Sequence, residues 1–373
     1  MFSEYEDSLT SYNIESINYL IEGILKSNTV NLAELVNSVN YDCQPESLYK
    51  KLQRFFRKEL DMSPLGLFSL KYHLKYFVSN RNRCSKIFIL IDRHTWEFGS
   101  KVFNLLTINF YDEYTDIEFP IVAIDLDKPG NSNIDTRIKL LNDISCILKP
   151  YINDNSIYVT VLGDREFIGN DWFDYIMLNF DSGIFRIKRN FKINNTQSVL
   201  DIFNSLKENE VFETVFDNMK IVIKRLSDCP GRRDNCLALI SLDSSLDSVD
   251  ILNQYNIRWK IERSFFNVET NGFNLQDTHL KSPKRIQMMF YILVVCYYMS
   301  ALAGFIENQI KRSPIKKHGY IAVSLFLRGR RYLKRIISGL SFILLSAQYK
   351  INYLFAAILD TFDEYLMHFQ CVT

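Results

Sequence analysis

The chain has 373 residues, of which 47% are hydrophobic, 23% charged and 14% aromatic. This excludes a disordered or low-complexity protein and suits two or three domains, each with its own core. Lys and Arg number 44 against 43 Asp and Glu, a net charge of +1, so a polyanionic partner has to be met by a local basic surface and not by bulk charge.

The first residues, MFSEYEDSLTSYNIE, are acidic and polar, without the basic start or apolar run of a secretory signal. Residues 15–77 read as helical, with apolar residues three and four apart in INYLIEGIL and LAELVNSV. Residues 46–60, ESLYKKLQRFFRKEL, put Leu48, Leu52, Phe55 and Phe56 on one side of a helix. Lys50, Lys51, Arg54, Arg57 and Lys58 surround the rest. A short helix, the NYDCQP break and then this basic helix resemble a helix-turn-helix. Such a motif needs an apolar face to dock and cations to meet phosphates. A solvated surface helix has the same pattern.

The pattern changes at Lys86. Residues 87–92 (IFILID) predict a strand that closes on an acid. Residues 102–111 and 119–126 predict two more, followed by the KPGNSN turn and a helix over 134–148. SIYVTVLGD predicts a fourth strand, again closing on an acid. A short helix at 173–178 and a strand at 183–189 follow. A meander of three strands, then helix, strand, helix, strand, is the mixed α/β order of an RNase H-like core. Residues 190–249 read as a β-rich insertion, either a hairpin with a loop or strands added to the sheet. Helices dominate beyond it, at 248–255, 258–270, 283–307, 321–337 and 353–369. Residues 287–305 carry no charge and are long enough to cross a membrane. Tyr291, Tyr297, Tyr298 and Ser300 inside the run favour a buried helix of a globular domain. The implied domains are a helical DNA-binding region at 1–80, a catalytic core at 81–310 and a helical C-terminal region at 311–373.

Three carboxylates stand out: Asp92 and Asp164 at predicted strand ends, and Glu262 on a helix far downstream. Acids at neighbouring strand ends with one on a covering helix can hold Mg²⁺, a hard cation that takes oxygen ligands. A pair of such ions can drive in-line displacement at phosphorus. Acids at strand ends are also common without a metal, and Asp125 and Asp127 show the same pattern. Tyr255, Arg258 and Glu262 fall on one helical face by their spacing. They suit a nucleic-acid strand, and equally an ordinary helix with an Arg–Glu pair.

The run Y-x2-R-x3-E at Tyr255, Arg258 and Glu262 resembles the signature of bacterial insertion-sequence transposases with a DDE active site, insertion-sequence family four. IFILIDRHTWEFG resembles that group's first-aspartate strand. VLGDREF resembles its second-aspartate motif, with Glu166 where the group has glycine. LDKPGNSN, GFNLQDTHLKSPKRI and SLYKKLQRFFR resemble further segments in the same order. Two further departures stand out. The group's lysine seven residues beyond the glutamate is Glu269 here. The insertion also lacks the tryptophan that some relatives stack on a flipped base; Phe212 and Phe216 are the aromatic residues available there.

The resemblance implies an enzyme that binds the terminal inverted repeats of its own element, as a homodimer, in the bacterial cytoplasm. Asp92, Asp164 and Glu262 would hold two Mg²⁺, with Mn²⁺ able to substitute. Cut-and-paste transposition would follow by nicking, hairpin formation and attack of the 3′-hydroxyl on target DNA. Tyr255, Arg258 and Arg165 would meet the cut strand, and Lys50 and Arg54 the repeat. A second basic stretch, from Lys311 to Arg335, offers further DNA contacts or a solvated face. An RNase H-like nuclease of another kind and a catalytically dead DNA-binding repressor are the competing readings. The five histidines do not cluster in a metal-binding spacing, and the seven cysteines, without a C-x-x-C pair, fit neither a zinc finger nor a disulfide scaffold. No phosphate-binding loop of an ATPase is present.

Overall fold

The structure is a computed structural model. It describes residues 9–339 apart from 40, 42–43, 80, 82, 99–100, 127–129, 194–196, 229–233 and 317–320. The expected helix at 353–369 lies outside the described residues.

Four helices lead: α1 (Ser11–Ser27), α2 (Leu32–Leu35), α3 (Pro45–Arg57) and α4 (Ser63–His73), the last continued by a π turn at Leu74–Val78. Thr10 caps α1 by accepting from the Asn13 N–H, and Asn28 ends it in the left-handed conformation. On α3, Leu48, Leu52, Phe55 and Phe56 are fully buried, as their spacing requires. Lys51 is buried too, contrary to a wholly solvated basic face. It pairs with Glu15 and lies 5.3 Å from the ring centroids of both Tyr12 and Tyr19. Lys50, Arg54 and Arg57 stay exposed.

The central sheet is built from β1 (Ser85–Phe98), β2 (Lys101–Asp112), β3 (Ile117–Asp125), β4 (Ile157–Gly163), β5 (Ser182–Arg186), β6 (Val211–Phe216), β7 (Met219–Arg225) and β8 (Cys236–Ser241). Its order is β3-β2-β1-β4-β5-β8-β7-β6. The first three strands are antiparallel, and β4 and β5 run parallel to β1. This is the RNase H-like arrangement. The insertion extends it, because β8 pairs antiparallel with β5 and carries β7 and β6 beyond it. Helices α5 (Ile134–Asn153) and α6 (Asn170–Asn179) connect the parallel strands. Covered on both faces, the central strands read as unbroken apolar runs such as IFILI. The insertion also holds α7 (Val199–Ser205), which opens on a reciprocal capping box between Ser198 and Asp201.

Beyond the sheet come α8 (Ser248–Asn256), α9 (Trp259–Phe266) with a π turn at Asn267–Asn271, a 3₁₀ turn at Leu275–Asp277, α10 (Pro283–Ile310) and α11 (Leu325–Gly339). The apolar window of α10 is long enough to cross a membrane and is entirely buried inside the protein. Three of its polar side chains find partners on β3. Gln287 and Tyr291 donate to the Ala123 carbonyl at 2.9 and 3.2 Å, and Tyr297 donates to Glu118 at 3.1 Å. Left unpaired, each would cost about 1–3 kcal/mol. Helices α10 and α11 cross at glycines: a Cβ on Gly329 would sit 1.7 Å from the Ser300 carbonyl oxygen. That close crossing fixes where the α11 cations stand.

Several elements depart from the sequence-based expectation, three of them beside the carboxyl edge of the sheet. Strand β1 does not close on Asp92 but runs on to Phe98, because Asp92–Phe98 keeps pairing with β2 after β4 has ended. Strand β5 ends at Arg186 instead of 189. The expected helix at 258–270 breaks in two, α9 and a π turn.

Candidate active site

Strand register brings the first two carboxylates together. Ile91 pairs with Gly163, and Gly163 with Phe185. The next row across the sheet therefore holds Asp92, Asp164 and Arg186, at the carboxyl ends of the parallel strands, where α/β sheets place their ligands. Asp92 sits there although its own strand continues, since its parallel partner stops one residue earlier.

Helix α9 supplies the third carboxylate. Ile261 is fully buried and Phe265 nearly so, against the face of the sheet that carries Phe88 and Leu90. This seats α9 over β1. Arg258, at its N-terminal boundary, donates from Nη1 to Asp92 Oδ2 at 2.6 Å and from Nη2 to Glu262 Oε1 at 2.8 Å. The three residues singled out from the two ends of the catalytic core are thus one ion-pair network, with Asp164 beside it.

The electrostatics follow from burial and charge count. Burial pushes the Asp92 carboxyl up to about 6; Arg258 opposes this, and the charges of Asp164 and Glu262 add to it. Arg258 is held above its ordinary range: burial disfavours its charge, but Tyr255, Asp92, Asp164 and Glu262 outweigh that effect. Asp164 Oδ1 is buried with no hydrogen-bond partner among the described residues. The Tyr255 hydroxyl is likewise buried and unpartnered, with the residue only 3% exposed. Burial raises its pKa, Arg258 lowers it and Asp164 adds to the rise.

An all-oxygen donor set with an unpaired buried lone pair suits a hard cation. As they stand, no three acidic, histidine or cysteine side chains among the described residues are close enough to hold one. The Arg258 guanidinium lies between Asp92 and Glu262 and sets their spacing.

Both residues that depart from the resembled pattern have partners on β1 just beyond Asp92. Glu166 pairs with Arg93 at 3.2 Å, and Glu269 with His94 at 2.8 Å. Glu269 is thereby engaged inside the protein. Arg165 points to a different group: it pairs with Asp234, which also accepts from Arg186 Nη2 at 3.0 Å and Arg189 Nη2 at 2.6 Å. Sequence reasoning missed Asp234, Arg186 and Arg189, whose pairing across the insertion leaves no local signal. Burial alone would raise the Asp234 carboxyl. The Cys236 N–H, Arg189 and Arg165 hold it below the usual range instead. Lys50 and Arg54 are not part of this site; they lie on the exposed side of α3.

Residues 114–299 match the family model described as a transposase DDE domain, a span that includes Asp164 and Glu262 and begins after Asp92. This match supports a DDE transposase. No curated protein matches the sequence. Among solved structures, the piggyBac transposase synaptic complex with hairpin DNA is similar at a TM-score of 0.38 and 12% identity, over 89% of this chain and 76% of that one. Argonaute of Marinitoga piezophila, in complex with 5′-OH guide RNA, is similar at 0.24 and 13%, over 72% of this chain and 41% of that one. Likenesses this loose bear on neither substrate nor mechanism.

Proposed function

We propose that the protein is an insertion-sequence transposase that cuts the ends of its own element and joins them to new DNA, with Asp92, Asp164 and Glu262 as its catalytic carboxylates. The observation that carries this reading is the convergence of the three, from β1, the end of β4 and α9, around Arg258. Three acids gathered at the carboxyl edge of an RNase H-like sheet have little structural use, because their mutual repulsion is only partly offset by one arginine.

Asp92, Asp164 and Glu262 would hold divalent cations, Mg²⁺ or Mn²⁺. When bound, these supply activation of an attacking oxygen and stabilisation of the leaving one. The chain's own residues do the rest. Arg258 keeps Glu262 within reach of Asp92 before substrate arrives, and its fork is then available to a strand phosphate. Tyr255, whose ring lies beneath Arg258, would offer its buried, unpartnered hydroxyl to the same strand once Arg258 turns out to the phosphate. Water, a 3′-hydroxyl and target DNA can all be served by this single site, since each step is an in-line attack of oxygen on phosphorus. The terminal repeats would be bound as duplex DNA, with Lys50 and Arg54 on α3 meeting phosphates, and two copies of the chain would pair the two ends.

The test is a cleavage and joining assay on DNA carrying the repeats that flank the gene. Metal-dependent cuts at the repeat tips, followed by joining to a second DNA and lost in Glu262→Gln, support a transposase. Cuts without joining indicate a nuclease, and binding without cuts a repressor.

A further inference from the structure

Most large apolar side chains of this protein are buried, yet Trp259 is 60% exposed and Phe266 55%. Both belong to α9. At 3.6 residues per turn they share a face with Arg263, next to the face that carries Glu262. The Trp259 ring is backed by the Arg258 guanidinium, 5.4 Å from its centroid, so one side is held and the other is free.

The two rings border a cavity of about 1160 Å³ between α9 and α11, walled by Lys260, Arg263 and Arg331 and, at its β3 end, by Asp116 and Glu118. A second cavity of about 790 Å³, between the end of α10 and α11, is walled by Lys311, Arg312, Lys334 and Arg335. Val323 and Arg331 line both, so the two lie side by side along α11 as adjoining parts of one grooved face. Much of its positive charge is unspent. Lys260 is taken by Asp116, while Arg328 and Arg335 share Glu307. Arg263, Lys311, Arg312, Arg331 and Lys334 have no carboxylate within ion-pair distance among the described residues. Arg330 donates to the Gly272 carbonyl at 2.5 Å, which ties α11 to the turn after α9 and keeps the groove in shape.

We propose that this groove binds an unpaired stretch of DNA strand, its bases stacked on Trp259 and Phe266 and its phosphates on the cations just beyond α10 and on α11. Exposed rings combined with a row of cations are what single strands require, because only an unpaired base offers a face to stack on. Within a duplex those faces are covered by neighbouring bases. Trp259 is one helical turn from Glu262, so a strand opened at the cut reaches the rings directly. The inference rests on the reading of the protein as a DNA-cutting enzyme and adds a second strand site to it.

The test uses the full chain with oligothymidylate of roughly a dozen nucleotides and a blunt random duplex of equal length. The expected result is that Trp259→Ala and Phe266→Ala each weaken oligothymidylate binding about ten-fold, leave duplex binding unchanged, and melt like the wild type. Trp259→Phe should restore most of the loss. Arg331→Gln with Lys334→Gln should lower the salt slope for the single strand by roughly 0.7 per cation removed. Equal affinity in the wild type and the ring variants overturns the proposal, as does an equal loss for duplex and single strand. So does a wild-type protein that binds no oligothymidylate. Glu262→Gln separates this proposal from the functional reading. Absent metal-dependent cleavage with Trp259-dependent strand binding sinks the function and leaves the groove; cleavage without such binding does the reverse.

Discussion

Two ion-pair clusters stand at the same edge of the sheet, with opposite compositions. Around Arg258, one guanidinium serves Asp92 and Glu262, with Asp164 close by. Around Asp234, one carboxylate serves Arg165, Arg186 and Arg189. Neither cluster is balanced. The first has acid to spare, which suits cations; the second has guanidinium N–H groups to spare, which suits phosphate. They are joined by the row Asp92, Asp164, Arg186 and by the step from Asp164 to Arg165. A fold seeking only stability would have matched these charges one to one, and the imbalance is what the proposed function would use: spare acid for cations, spare guanidinium for phosphate.

The largest effect expected from breaking the comparison is on chemistry. Glu262→Gln should lower cleavage by roughly a thousand-fold, the several kcal/mol that metal-assisted charge stabilisation supplies, while binding of the repeats stays within about two-fold in a mobility-shift titration. Loss of binding instead would make Glu262 a structural residue. Next in size is stability. Arg258→Met removes a buried guanidinium together with its charge-assisted hydrogen bonds to Asp92 and Glu262 and should cost about 3 kcal/mol in denaturant unfolding. The partly exposed Asp234→Asn should cost about 1 kcal/mol or less. It should also tighten DNA binding and steepen its salt dependence, because three arginines lose their internal anion. Equal destabilisation by the two substitutions would erase the distinction drawn between the clusters.

A third prediction concerns pH. Glu118 is half-buried on β3, and its desolvation there pushes its carboxyl up to about 7 against the hydrogen bonds from Asn109 and Tyr297. The native state therefore keeps a proton that the unfolded chain has already released. Stability should fall as pH rises from the ordinary carboxylate range to about 7. Glu118→Gln should flatten that slope in melts recorded across the window, and an unchanged slope would assign the dependence elsewhere. The smallest effect is at α3: Lys50→Ala with Arg54→Ala should weaken repeat binding and reduce its salt slope by roughly 0.9 for each phosphate left without its cation. An unaltered slope removes α3 from the DNA interface.

Much of the core was legible because its signals are local. Apolar runs marked β1 to β5, and the buried tyrosines of α10 spoke for a helix inside a globular domain. Acids next to strand ends marked Asp92 and Asp164, and spacing marked Glu262. What the sequence hid depends on distant partners. The continuation of β1 past Asp92 is set by pairing with β2, since the alternating run TWEF is too short to mark a strand by itself. Lys51 belongs to the basic pattern of α3, yet Glu15 and two tyrosines of α1 draw it inside. Helix α7 had a readable start in the Ser198–Asp201 capping box, but seven residues are too few for periodicity to register. Asp234 gathers arginines from 45 to 69 residues away, and no spacing rule predicts that.

The central claim is that the three carboxylates act as one cation site, and the direct measurement is Mn²⁺ binding followed by electron paramagnetic resonance on the full chain bound to repeat DNA. Tight Mn²⁺ binding is expected in the wild type, lost in Asp92→Asn and in Asp164→Asn alike and weakened in Glu262→Gln. Undiminished Mn²⁺ binding in both aspartate variants would contradict the claim.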